Sequence, residues 1–74
     1  MNRNRDKKII KEFGKRLKKF RKEKEISIRK LGDIADMDFS QIHRIEKGET
    51  NPTLTTIMIL AAALQIDARD LLPE

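Results

Sequence analysis

Three observations predict an all-α fold of five helices. Apolar residues recur at spacings of three and four, and no stretch alternates in the manner of a strand. Polar residues suited to capping a helix N-terminus (Ser27, Asp38, Thr53 and Asp67) stand directly before four of these runs. Hydrophobic residues make up 38% of the chain but only three are aromatic, so the core must be aliphatic, which suits compact helices. With 74 residues the chain is one domain, near the lower size limit for folding on its own core.

Each element follows in order. Residues 1–5 (MNRNR) lack apolar periodicity and read as a flexible basic arm, leaving 6–74 as the folded domain. From Asp6 to about Glu25, Ile10, Phe13, Leu17 and Phe20 lie on one helical face, and Lys11, Lys15, Lys18 and Lys22 form the opposite stripe. Gly14 inside this helix costs up to ~1 kcal/mol relative to alanine, which points to close packing there. Ile26 is expected beneath the start of a second helix that Ser27 caps, with Leu31, Ile34 and Ala35 on its inward face. After a gap of three residues, Asp38 with Gln41 three places on has capping-box spacing and starts a third helix carrying Ile42 and Ile45 inward. Gly48 follows it, where a left-handed residue is cheapest as glycine. The loop Glu49-Thr50-Asn51-Pro52 leads to Thr53, which caps a fourth helix from Leu54 to about Leu64 with Leu54, Ile57, Leu60, Ala61 and Leu64 inward. Asp67 caps a short fifth helix, Ala68 to Leu72, which Pro73 stops.

The second and third helices, so closely joined, form a helix-turn-helix unit that can present its second member to the major groove of DNA. Charge supports that reading. Residues 1–25 hold twelve Lys and Arg against four acids, whereas residues 26–74 hold five against eight. Basic charge gathered at one end favours a polyanionic partner through phosphate contacts and counterion release. With no Cys and a single His43, neither a disulfide framework nor a structural zinc site is expected. Neither a signal peptide nor an apolar run long enough to span a bilayer is found, so a cytoplasmic setting without membrane contact is expected. No nucleophile is paired with a base and no glycine-rich phosphate loop is present, so catalysis, a cofactor, a metal and a small-molecule ligand are not expected.

Laid out in this way, the chain resembles the Cro/C1-repressor-type (XRE-like) helix-turn-helix family. The likeness runs from about Ile10 to Leu72 through FRKEKEIS, RKLGDIADMDFSQIHRIEKG, NPTLTTI and ALQIDARDLL. It implies a five-helix, lambda-repressor-like DNA-binding domain. It also implies that Arg21, late in the first helix, pairs with Glu46 at the end of the recognition helix as a partly buried structural tie. Two positions depart from the family pattern. Ile28 stands where a backbone-contacting glutamine is common, and Asp36 replaces the turn glycine.

A recognition helix enters the groove N-terminus first, and with Ile42 and Ile45 inward its outward residues are Phe39, Ser40, His43 and Arg44, flanked by Gln41. By resemblance, Phe39, Ser40 and Arg44 map onto base-reading positions. Arg44 has the fork that suits guanine O6 and N7, or else a phosphate. Phe39 can pack on a thymine methyl or be buried against the second helix. Ser40 and Gln41 suit bases and phosphates equally. Phosphate contacts are expected from Arg16, Ser27, Arg29, Lys30, Lys47 and Thr50, and the arm with Arg3 and Arg5 could track a groove as other basic N-terminal arms do.

The fourth helix is apolar on most sides. Thr55, Met58, Ile59 and Ala62 make a second stripe, where the family commonly keeps charge at the positions of Ile59 and Ala62. Together with Leu72 these residues are expected to form a two-fold homodimer interface; the alternative cover is Ile9 folding back. The function expected is sequence-specific binding of double-stranded DNA by a small transcriptional regulator, most simply a repressor. Phage repressor, restriction–modification controller and antitoxin are not separable from the residues. The competing reading is a protein-interaction module, or antitoxin-type partner, that binds mainly through the fourth helix.

Overall fold

The computed structural model describes residues 2–74 and holds five helices in them: α1 (Arg3–Glu23), α2 (Ile28–Ala35), α3 (Phe39–Glu46), α4 (Leu54–Leu64) and α5 (Ala68–Leu71). The helices pack as α1 on α3 and α5, α2 on α3 and α4, and α4 on α5. Phe13, Leu17, Leu31, Ile42, Ile45, Leu60, Ala61, Leu64 and Leu71 form the buried centre, drawn from all five. Phe20, Ile26, Ile28, Ala35 and Ile57 pack around it, half-buried. An aliphatic core is what the composition allows.

Caps set the helix starts. Ser27 Oγ accepts the Lys30 N–H at 3.0 Å, and Thr53 Oγ1 accepts the Thr56 N–H at 3.1 Å. Asp67 takes the Arg69 N–H at 2.9 Å while its own N–H donates to Asp70 Oδ2 at 3.2 Å, a capping box. Three helix ends close in the Schellman manner, with Glu25, Gly48 and Gln65 left-handed at φ 58°, 75° and 58°. After α3, for example, the Gly48 N–H returns to the Ile45 carbonyl and the Glu49 N–H to that of Arg44. Asp36, at φ 55°, makes the turn between α2 and α3 without glycine.

The structure corrects several expectations. α1 begins at Arg3 rather than Asp6, because the Asn2 side chain accepts the Arg5 N–H and caps it. Of the expected arm, residues 3–5 are therefore helical and Met1 lies outside the described residues. Ile34 is 49% exposed, since the inward face of α2 is set by Ile28, Leu31, Gly32 and Ala35. Leu54, in the first turn of α4, leans toward the helix N-terminus and away from the inward face, and is 74% exposed. Asp38 and Gln41 do not form a capping box; the Asp38 carboxylate is taken by Ser40 instead. Leu72 falls just beyond α5 and is exposed. Ile9 is exposed beside Pro73 and Glu74, so it does not cover the outer stripe of α4.

Candidate nucleic-acid interface

Helix α3 is held from behind by two contacts with α1. Gly14 lets the backbone of α1 lie directly on the end of α3: a Cβ there would stand 2.6 Å from the Glu46 carbonyl oxygen and closer still to that of Ile45. About two turns further on, Arg21 Nε and Nη2 donate to the two Glu46 carboxylate oxygens at 2.7 and 3.0 Å. Arg21 Nη1 donates to the Ile26 carbonyl at 2.8 Å, which ties in the α1–α2 connection just before α2. Both side chains are buried, and the bidentate geometry answers the desolvation each would otherwise suffer.

With Ile42 and Ile45 buried in the core, α3 turns Phe39, Ser40, His43 and Arg44 to solvent and leaves Gln41 half-buried. The opening turn carries a small polar cluster. Asp38 Oδ1 accepts the Ser40 N–H at 2.9 Å and the Ser40 hydroxyl at 2.8 Å. The backbone donation, then the hydroxyl, hold the Asp38 carboxyl below its ordinary pKa, and the positive charge of Arg44 adds to this against a small opposing effect of burial. Ser40 thus points its proton back at the cap, which leaves its oxygen as an acceptor. Arg44 is exposed and its side chain makes no hydrogen bond or ion pair among the described residues.

The expected phosphate contacts separate into two groups. Ser27, Arg29, Lys30 and Lys47 are exposed on or beside α2 and α3, and Thr50 is half-buried in the loop after α3. Lys47 meets Glu49 at 3.3 Å, an exposed pair that competes weakly with a phosphate. Arg16 belongs elsewhere. It lies 3.6 Å from Glu12 one turn before it, and its Nη1 reaches the Asp70 carbonyl of α5 at 3.4 Å. Its position along α1 turns it toward α5 and not toward α3, so it is not brought together with the other candidates.

Two features of this surface escaped sequence reasoning. The stem of Lys11 lies across Gly48, which brings the exposed lysine stripe of α1 up to the end of α3. The spacing of Lys11, Gly14 and Lys18 on one helical edge is the signal that could have shown it. The other is a stack: the Arg29 guanidinium lies over the Phe39 ring, 4.3 Å from its centroid. Phe39 is thereby neither buried nor free; 41% of it is exposed.

A recognition helix locked to its scaffold, with a polar and cationic outer face, defines a DNA-binding helix-turn-helix domain. The profile described as helix-turn-helix matches residues 17–71, and the chain belongs to that family of DNA-binding transcription regulators, in its Cro/C1 branch. Among solved structures it is similar to the restriction-modification controller protein C.AhdI from Aeromonas hydrophila, with a TM-score of 0.82 and 35% identity over 84% of this chain and 94% of that one. No curated protein matches it in sequence. Among the described residues no helix is long and apolar enough to cross a membrane.

Proposed function

We propose that the chain reads a specific double-stranded DNA sequence by placing α3 in the major groove and that it represses transcription by occupying a promoter. The observation that carries this reading is the outward set at the start of α3, Phe39, Ser40, His43 and Arg44, on a helix fixed from behind by the buried Arg21–Glu46 pair. Arg44 supplies the bidentate donor that suits guanine. Gln41 flanks the set, and Ser27, Arg29, Lys30, Lys47 and Thr50 border it as phosphate partners. The similarity to C.AhdI supports a controller type of regulator. Neighbouring restriction and methyltransferase genes would be the matching genomic context.

A second copy fits the reading. Thr55, Met58, Ile59 and Ala62 are exposed along the outer side of α4, and Leu72 is exposed after α5. Pairing two such faces about a two-fold axis would set two copies of α3 roughly one DNA turn apart, ~34–36 Å, on an inverted repeat. The same apolar face supports the alternative reading, a module that binds another protein through α4.

Selection of bound duplexes from a random library is the test. An enriched inverted repeat, with Arg44→Ala relaxing preference at one base pair and Lys47→Ala weakening all sequences alike, is the expected outcome. Recovery of DNA without enrichment would overturn specific reading and shift attention to protein partners of α4.

A further inference from the structure

We infer that Arg29 and Phe39 act as one reading unit, and that the unit recognises a 5-methylpyrimidine next to a guanine. This rests on the proposal above that α3 enters the major groove, and it assigns Arg29 to a base edge in place of a phosphate.

The geometry carries the assignment. Arg29 leaves the first turn of α2 and Phe39 opens α3, so the stack joins the two helices at the end that leads into the groove. The guanidinium carbon lies over the ring, 4.3 Å from its centroid. No hydrogen bond or ion pair to Arg29 is present among the described residues, so its N–H edge is left to an outside acceptor. The pair stands as a ridge between two shallow grooves. One is lined by Asp33, Met37 and Asp38, the other by Arg21, Ser27, Ile28 and His43.

Spacing and chemistry then select the ligand. Successive bases on a strand lie ~3.4 Å apart along the helix axis, comparable with the 4.3 Å between the guanidinium carbon and the ring centroid. A ring at one base therefore places the guanidinium at its neighbour. Among the four bases, only thymine offers an apolar group in the major groove, its C5 methyl; guanine offers the paired O6 and N7 acceptors that a planar fork matches. Methylation of cytosine at C5 presents the same apolar group as thymine. The stack also fixes an arginine that would otherwise lose rotamer freedom on binding, and it desolvates one ring face in advance.

The test starts from the enriched duplex and the full chain. Each thymine beside a guanine is replaced by deoxyuridine, which lacks only the methyl, and the same position is made cytosine and then 5-methylcytosine. At one position in each half-site, deoxyuridine should weaken binding about four-fold, the worth of one buried methyl. 5-Methylcytosine should bind more tightly than cytosine there by a similar factor. Phe39→Ala should abolish both differences, and Arg29→Ala should relax the choice of the adjacent guanine. Equal binding of thymine and deoxyuridine at every such position, in a duplex that is still enriched, would overturn the reading unit and leave DNA reading intact. Failure of the wild-type chain to enrich any sequence would overturn both.

Discussion

Arg21 and Glu46 meet through two parallel hydrogen bonds across 25 residues of sequence, and both side chains are shielded from water. The pair joins the end of α1 to the end of the recognition helix. Removing one partner should therefore cost far more than removing both. Arg21→Met or Glu46→Leu alone is expected to lose about 3–5 kcal/mol, because each strands a buried charge. The double variant should recover much of that loss. Urea unfolding of the four proteins measures the cycle, and additive losses would refute the coupling.

Gly14→Ala tests the backbone contact that α1 makes with the same helix end. Helix propensity alone favours alanine by up to ~1 kcal/mol. The added Cβ would meet the carbonyls of Ile45 and Glu46, which cannot swing away as a flexible side chain could. A net destabilisation of about 1–3 kcal/mol is expected. Thermal unfolding shows the sign directly.

The exposed face of α4 gives a third prediction. Met58→Glu and Ile59→Glu should leave the circular dichroism spectrum and unfolding of the monomer nearly unchanged, since both side chains are exposed. In sedimentation they should abolish the dimer and weaken binding to an inverted repeat. A wild-type chain that sediments as a monomer at high micromolar concentration would remove the homodimer.

Acid should loosen the helix starts. The carboxyls of Asp38 and Asp67 are held below their ordinary value, in each case chiefly by a backbone N–H donating to them, from Ser40 and from Arg69. Their folded pKa is depressed, so the stability they add is present above the unfolded value, near pH ~4, and is lost as pH falls through the lower folded value. Asp38→Asn, which still caps, should flatten the fall in stability below that pH. An unchanged acid limb would show that the cap charge is not felt.

The helices were legible because their signals are local. Thr53 and the spacing of Ile57, Leu60, Ala61 and Leu64 mark α4 at the boundaries observed, Leu54 and Leu64. The inward placement of Ile42 and Ile45, and so the outward set on α3, follows from the same period. The start of α1 was missed because Asn2 caps a segment whose first turn has nothing to bury. Periodicity alone puts Ile34 and Leu54 inward, because near a helix end it leaves the face ambiguous by one position; only the neighbours decide. Arg16 and the Arg29–Phe39 stack were beyond reach for one reason: each is settled by a partner on another helix, Asp70 for the first and the ring for the second.

The contact at Gly14 leaves no layer of side chains between α1 and the end of α3. Two backbones in direct touch have little room to slide or tilt, so α3 and the lysine stripe of α1 are held in one fixed relation. If α3 enters the major groove as proposed, an imperfect match to a duplex would be corrected by surface side chains or by the DNA itself, and sequences that twist or narrow easily beside the contacted bases should be preferred.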